Sequence, residues 1–356
     1  SDHAGHSGDL SGTDMPVKSA SGQQGFVDSP ARLNRPSSPT SRKAAWLAAF
    51  LIIFPLVLVA AWPRVQDYIR AVSLLERLRD PKATGRIANY EVHPVDIRDT
   101  EFEFRGRPIP ARLYFPRGVG FAPGIVVVHG MHHLGRNEPR LVAFARSLAA
   151  SGFFAMTPEV PGIADYRVEA ESADLIGRAV QTLAQQLETP KVGILALSFS
   201  GGLALLTASD PEYSQSIAWV ATVGAHYDLA HVLRFFATDE ALRPDGTKVH
   251  CAAHEYGPLI VISDEAQDFF PKRDVAAARK AIKLLLSGQG KASEAVTNTL
   301  SAAGQQTMQR IYHKQREDFR SAVLAEIDKK QEQLTAASPA GHLRFIRVPV
   351  LLLHGS

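Results

Sequence analysis

One serine near the middle of the chain follows an apolar run, a position from which its hydroxyl could act as a nucleophile. Residues Val192–Leu197 predict a buried strand, and Ser198 comes directly after them. Gly201 and Gly202 then open a helical pattern. Such a strand-turn-helix strains the backbone of the nucleophile and projects its side chain above the sheet, provided that the residues two before and two after are small.

Two serines satisfy this spacing. Around Ser198 the small neighbours are Ala196 and Ser200, whereas around Ser200 they are Ser198 and Gly202. We favour Ser198 because the predicted strand leads straight into it, which leaves the glycines to open the helix.

A second motif, reading HGMHH from His129 to His133, follows the β-branched run Gly124–Val128. Such a run is typical of a strand buried on both faces. Metal ligation by the three histidines and a plain polar loop are the competing interpretations. His132 and His133 are adjacent, which is not a recognised metal-ligand spacing such as His-x-x-x-His, and no acidic partner is close, so we predict no metal and no cofactor.

Strands alternate with helices along this part of the chain, which predicts an α/β fold with a mostly parallel central sheet flanked by helices. The apolar patterns predict a β-hairpin over 102–115, strands at 124–128, 153–156, 192–197, 217–223 and 348–353, and helices around 141–152 and 175–187.

The serine turn and the upstream motif together resemble the α/β-hydrolase superfamily, in a dienelactone-hydrolase-like or esterase-like branch. The resemblance covers roughly residues 90–356 apart from an insertion, and it departs from the common pattern at Ala196 and Ser200, where glycine is usual. It implies acyl transfer on Ser198. It also implies that the backbone N–H groups of Met131 and Phe199 stabilise the oxyanion.

The resemblance further implies an acid and then a histidine base after the nucleophile. The usual acid follows the strand that here reads Val348–Leu353, so both groups are expected beyond Ser356. Asp228 is the alternative acid within the chain, although a turn or helix-cap role is its default. We expect His354 to be structural. The other internal histidines are expected in polar surface or loop positions: His226, His231, His250, His254 and His342.

The region before the last strand differs in character, being rich in Ala, Lys, Gln and Glu at helical spacing. It is too long for a loop. We predict a helical insertion over 229–345, called the cap below, that acts as a lid on the acyl site. Within it Leu259–Ile262 is strand-like, and Asp264, Glu265 and Asp268 are predicted to begin a solvated helix.

Residues 44–62 form nineteen consecutive uncharged residues near the N-terminus. At about 1.5 Å per residue this segment spans a hydrocarbon core of roughly 30 Å. Trp46 and Trp62 stand at its two ends, as in an aromatic belt. We predict a retained, single-pass transmembrane helix of undetermined orientation. A cleaved signal peptide and a buried core helix are the alternatives.

The sequence predicts six segments: a disordered tail 1–43, a transmembrane helix 44–62, a juxtamembrane helix and linker 63–88, a core 89–228, the cap 229–345 and a core strand in 346–356.

A net charge of +3 and the lack of a basic stripe argue against a nucleic-acid partner. With Cys251 as its one cysteine, the chain can form no intrachain disulfide.

These features predict a membrane-anchored serine hydrolase that cleaves a carboxylic ester or related acyl bond of a small-molecule substrate. Two alternatives stay open. One is a non-catalytic binding or scaffold protein with the same fold, and the other is a peptidase of the prolyl-oligopeptidase type.

Overall fold

The computed structural model describes residues 39–355 except 81, 82, 168, 244, 255 and 316. The chain divides into two compact units, Ser1–Trp62 and Pro63–Ser356. Of the tail predicted over 1–43, residues 1–38 lie outside the described residues.

The first described element is a continuous helix, α1, from Pro39 to Arg79. Residues 39–43 are therefore helical and do not belong to the predicted tail. The side chains of the apolar segment are exposed, with Trp46 76% and Trp62 55% accessible. The alternative that residues 44–62 form a buried core helix is therefore wrong. Within the described part of the chain, one helix is long and apolar enough to cross a membrane.

The C-terminal part of α1 is held by a buried arginine. Arg77 donates hydrogen bonds to the Ala88 carbonyl at 2.7 Å and to Ser73 Oγ at 2.6 Å, and it also bonds Ser151. Burial lowers the pKa of Arg77. These bonds fix the end of the helix to the segment that leads into the sheet.

The described residues form a seven-stranded sheet in the order β1-β2-β4-β3-β5-β6-β9. The first two strands and β2/β4 are antiparallel, and the other neighbours are parallel. A separate antiparallel pair, β7 and β8, lies in the cap. The strands are β1 (Val95–Phe104), β2 (Arg107–Pro116), β3 (Gly124–Val128), β4 (Phe154–Pro158), β5 (Val192–Leu197), β6 (Ile217–Val223), β7 (Glu240–Leu242), β8 (Lys248–His250) and β9 (Val350–Leu353).

The predicted mostly parallel sheet flanked by helices is confirmed. The helices that follow α1 are α2 (Pro139–Ala150), α3 (Pro161–Ala164), α4 (Glu171–Gln186), α5 (Phe199–Ser209), α6 (Pro211–Ser214), α7 (Leu229–Thr238), α8 (Gly257–Asp264), α9 (Ala266–Phe269), α10 (Val275–Leu286), α11 (Gly290–Thr297), α12 (Ala302–Tyr312), α13 (Glu317–Lys329) and α14 (Gln331–Ala336).

Alternate residues of β3 face opposite sides of the sheet. Ile125 and Val127 belong to the core on the side of α2, whereas Val126 and Val128 belong to the core on the side of α4 and α5. All four are at most 1% exposed. Burial on both faces explains why this strand is a continuous β-branched run.

The cap is mainly helical, as predicted, but one of its segments was predicted wrongly. Leu259–Ile262 lies inside helix α8 and is not a strand. Pro258 occupies the first turn of α8, where its missing N–H costs nothing. Four apolar residues in a row fit a buried strand or a buried helix equally well by periodicity. Consequently Asp264 ends a helix and does not begin one.

Candidate functional site

Ser198 lies at the sharp turn between β5 and α5. Its backbone has φ 58° and ψ −131°, a combination that is almost confined to glycine. The turn is held by the Ser198 N–H, which donates to the Val223 carbonyl at 2.7 Å, and by the Gly201 N–H, which donates to the Ser198 carbonyl at 2.8 Å. The residue is exposed. This is the strained geometry that the sequence pattern predicts for a nucleophile.

Ser200 is placed quite differently. It is fully buried, and its Oγ accepts a hydrogen bond from the Leu197 N–H at 3.0 Å. The Ser200 hydroxyl lies 2.8 Å from the Leu197 carbonyl and 3.3 Å from the Val128 carbonyl, to which it can donate. The Ser200 hydroxyl therefore stabilises the turn by connecting the ends of β5 and β3, while the side chain of Ser198 stays accessible.

The glycines after the turn allow α5 to approach the loop that follows β6. A Cβ on Gly201 would lie 2.7 Å from the Cβ of Ala225, and one on Gly202 would lie 2.2 Å from Cε1 of His226. Both distances are shorter than any van der Waals contact. The helix and the loop approach each other so closely that a residue without a Cβ, glycine, is required at both positions.

The loop after β3 lies against the serine. A Cβ on Gly130 would be 3.3 Å from the Cβ of Ser198 and 3.3 Å from the Leu197 carbonyl oxygen. Met131 follows at once in the chain, and Phe199 is the first residue of α5, where an amide N–H has no acceptor inside the helix. The two amides predicted as oxyanion donors thus belong to segments that flank Ser198. Their catalytic role stays a prediction.

His129 joins β3 to the loop after β4. It is 1% exposed, and its Nε2 accepts a hydrogen bond from the Val160 N–H at 3.0 Å. Accepting there places the ring proton on Nδ1, which lies 2.8 Å from the Gly130 carbonyl. Burial lowers the pKa of His129. With both nitrogens engaged, the ring offers no lone pair to a metal ion.

The other two histidines of the motif lie closer to solvent. The rings of His132 and His133 are 4.5 Å apart, and His132 Nδ1 accepts from the Leu134 N–H at 3.2 Å. Burial, followed by the charge of His133, lowers the pKa of His132. The hydrogen bond from Leu134 indicates that His132 stabilises the turn in which it lies.

Asp228 has the helix-cap geometry. It is the N-cap of α7, where its Oδ1 accepts a hydrogen bond from the His231 N–H at 3.0 Å. Its second oxygen lies 3.6 Å from His231 Nδ1. Both carboxylate oxygens thus face the first turn of α7, so the structure places this residue in its default role.

His226 lies in the loop between β6 and α7, which agrees with the expected loop position, but it is buried, with 6% of its surface exposed. Its Nε2 is 3.0 Å from the Ala337 carbonyl, and its ring packs 5.8 Å from that of Phe199. Burial lowers the pKa of His226. His354 is bonded through Nε2 to the Ala225 carbonyl at 3.0 Å, a structural contact of the kind that was expected.

A cavity of about 430 Å³, called the elbow cavity, adjoins the turn through Met131 and Phe199. Apolar side chains from the core and the cap together line more than half of it, and charged groups line much of the rest. The further lining residues are Tyr166, Arg167, Glu169, Ala170, Leu229, Leu233, Ile260, Val261, Asp264, Glu265, Glu326, Ile327, Lys330, Gln333, Leu334 and Ala336.

A partly buried lysine organises the charged part of the elbow cavity. Lys330 Nζ is 2.6 Å from an Asp264 carboxylate oxygen and also pairs with Glu265. Burial would lower the pKa of Lys330, but the two carboxylates outweigh it and the pKa is raised. The lysine is therefore protonated and its charge is satisfied within the protein.

Tyr166 also lines the elbow cavity and, like Lys330, is not among the site residues predicted from the sequence. It is 7% exposed, has φ 62°, and burial raises its pKa. Neither Tyr166 nor Lys330 belongs to a recognised motif. Only their places in the sequence could have pointed to them: Tyr166 lies in the segment after the predicted strand 153–156, and Lys330 lies within the predicted insertion.

The carboxylates of Glu265, Asp268 and Glu326 lie within 4.8 Å of one another. Two of them are already paired, Glu265 with Lys330 and Glu326 with Lys329. These ion pairs account for the cluster without a cation.

No protein-family model matches the sequence, and no curated protein matches it. Among solved structures, a dienelactone hydrolase from Anabaena variabilis is 19% identical (38% of this chain, 65% of that one, TM-score 0.33). An esterase from Pyrobaculum calidifontis is 20% identical (49% and 57%, TM-score 0.33). A 2-hydroxy-6-oxo-6-phenylhexa-2,4-dienoate hydrolase from Rhodococcus sp. strain RHA1 is 15% identical (74% and 82%, TM-score 0.37).

The chain thus spans less than two thirds of the length of the first two of these proteins. The architecture itself rests on the topology described above: two antiparallel strands that precede parallel ones, and a strained serine between the interior strand β5 and helix α5. Together these features are those of an α/β-hydrolase-like fold.

Proposed function

We propose that this protein is a membrane-anchored serine hydrolase that cleaves a carboxylic ester or related acyl bond through an acyl-enzyme on Ser198. The observation that carries the proposal is the φ of 58° at an exposed serine between a buried strand and a helix. A strained conformation of this kind persists only where surrounding structure enforces it, and such sites cluster at active centres.

In the proposed reaction Ser198 Oγ attacks the acyl carbonyl carbon and the alcohol leaves, after which water releases the acid. Negative charge develops on the former carbonyl oxygen. The amides of Met131 and Phe199 are the proposed donors to that oxygen, each contributing about 3–4 kcal/mol by analogy with other oxyanion holes. The tight contact between Gly130 and Ser198 supports this assignment, because it holds the Met131 segment beside the nucleophile.

The elbow cavity is the proposed acyl site. Its apolar part begins at Met131 and Phe199, and the cap contributes Leu233, Ile260 and Ile327 to its walls. An apolar cavity with a few polar groups is typical of a small-molecule site. The cap thus shapes the acyl pocket, which is the lid role expected from its place in the sequence.

Transfer of the Ser198 proton needs a general base. Of the described candidates, His226 is bonded to the Ala337 carbonyl, His129 to Val160, and Asp228 caps α7. None of them is hydrogen-bonded to Ser198. The expectation from the superfamily, an acid and a base that follow Ser356, stays a prediction.

The enzymatic proposal is tested with the protein expressed from the complete gene, assayed on p-nitrophenyl esters of graded acyl length. We expect hydrolysis that Ser198→Ala abolishes. Ser209→Ala is the matched control, because Ser209 lies on the same helix and its hydroxyl donates to the Leu206 carbonyl, within that helix. Equal activity in Ser198→Ala and the unsubstituted protein would refute the proposal.

The membrane anchor is tested separately by carbonate extraction of cell membranes. A retained span keeps the full-length protein in the pellet. A cleaved signal peptide instead releases it, with an N-terminus close after Val59-Ala60-Ala61, the stretch that resembles a cleavage site. N-terminal sequencing of the extracted protein distinguishes the two outcomes.

A further inference from the structure

A second cavity, called the cap cavity, lies on the opposite side of α8 from the elbow cavity. Ile260 and Val261 line the elbow cavity, whereas Leu259 and Ile262 line the cap cavity. Its volume is about 530 Å³, within the range of small-molecule sites. The further lining residues are His254, Tyr256, Pro258, Leu285, Leu286, Arg310, Ile311, Tyr312, Lys314, Gln315 and Phe319.

Arg310 is one of the cations that line this cavity. Arg310 stacks on Phe319, with its Cζ 5.3 Å from the ring centroid, and its Nη2 is 3.5 Å from Thr307 Oγ1. Its Nε is buried and has no hydrogen-bond partner within the described part of the chain. A buried donor without an acceptor costs free energy. The guanidinium as a whole lines the cavity and brings a positive charge to its wall.

The surroundings of Arg310 determine what kind of acceptor fits. Of the residues that the structure describes around this cavity, none is acidic, and most are aliphatic or aromatic. The Tyr312 hydroxyl bonds Ser293 and Thr297 at 2.7 Å, so it is already satisfied. The cavity therefore combines a cationic donor with an apolar wall.

We propose that the cap cavity binds an amphipathic monocarboxylate, whose carboxylate accepts from Arg310 while its apolar body packs on Leu259, Ile262 and Leu286. A carboxylate is the natural partner of a guanidinium, and the ion-paired bond is stronger than a neutral one. This site is separate from Ser198 and does not depend on the proposed hydrolysis.

The proposal is tested by calorimetric titration of 4-phenylbutyrate into the full chain in lipid nanodiscs, with 4-phenylbutanamide as the uncharged analogue. We expect saturable binding of the carboxylate and at least about tenfold weaker binding of the amide. Absence of saturable binding, or equal affinity for the two compounds, would overturn it.

Two pairs of variants locate the binding. Arg310→Gln should weaken it by about tenfold or more, and Arg344→Gln should not, because Arg344 stacks on Phe345 outside the cavity. Leu286→Trp fills the cap cavity and should abolish binding. Gln333→Trp narrows the elbow cavity and should leave it unchanged.

Circular dichroism melts show that each variant is folded before titration. Undiminished binding in Arg310→Gln, or loss in Gln333→Trp with retention in Leu286→Trp, would contradict the proposal. Because binding is measured without turnover, an inactive but ligand-binding protein would refute the hydrolase assignment and leave this one standing.

Discussion

Gly130 lies so close to Ser198 that a Cβ on the glycine would be 3.3 Å from the Cβ of the serine. The contact joins the loop after β3 to the turn after β5. These are adjacent parallel strands, paired from Ile125/Gly193 to Val128/Ala196. Neighbouring strand ends thus bring the proposed nucleophile and the Met131 amide to one edge of the sheet.

Gly130→Ala should lower ester hydrolysis by about tenfold, because the added methyl displaces the loop by a few tenths of an ångström and small misplacements at a reacting centre are costly. Steady-state kinetics should show the loss mainly in kcat. Gly120→Ala is the control, since a Cβ there meets nothing within 4 Å. Unaltered kinetics in Gly130→Ala would mean that this contact does not position the site.

Ser200→Ala should destabilise the protein by about 1–3 kcal/mol, because it deprives the Leu197 N–H of a buried acceptor. Covalent labelling of Ser198 by a fluorophosphonate, a reagent that reacts with nucleophilic serines, should persist in the folded variant. Chemical denaturation measures the first effect, and Ser209→Ala provides the comparison. Loss of labelling with unchanged stability would assign Ser200 a chemical role instead.

Gly202→Ala should destabilise the fold by about 1–3 kcal/mol or more, because its methyl would overlap the His226 ring at 2.2 Å. The double variant Gly202→Ala/His226→Ala should recover part of this loss relative to the sum of the single effects. Gly290→Ala, at a position with open space, is the control. Strict additivity in the double variant would contradict the contact.

Stability should fall as the pH is lowered below about 6.5. Burial lowers the folded-state pKa of His129 and His226, so below the ordinary value of 6.5 the unfolded chain binds more protons than the folded one. The slope is at most about 1.4 kcal/mol per pH unit for each histidine. The stability they contribute is thus present above pH 6.5 and is lost towards pH 5.

Melting curves between pH 5 and 7.5 measure this dependence. His226→Gln should flatten it, and His250→Gln, at an exposed position, should not. An identical pH profile in His226→Gln and the unsubstituted protein would show that His226 does not contribute to it.

Much of the sheet was predictable from local patterns. The strands Gly124–Val128, Val192–Leu197 and Ile217–Val223 coincide with the predicted ones, because burial on both faces leaves long β-branched or apolar runs. The hairpin β1-β2 also agrees, since alternation and the Arg105-Gly106 turn, with φ 49° and 74°, are local signals.

Other features depend on contacts that no local pattern contains. Leu259–Ile262 is helical because tertiary packing in the cap decides between two conformations that its composition allows equally. His226 is buried because Gly202 leaves room for its ring. Lys330 meets Asp264 across 66 residues of sequence, and a pairing of that range is visible only in the folded cap.

The most direct test of the central claim is to treat the protein from the complete gene with a fluorophosphonate and to locate the adduct by peptide mass spectrometry. We expect a single phosphonylated serine, Ser198, with labelling that Ser198→Ala abolishes and Ser200→Ala retains. An adduct on Ser200 or on another serine, or no adduct on the folded protein, would contradict it.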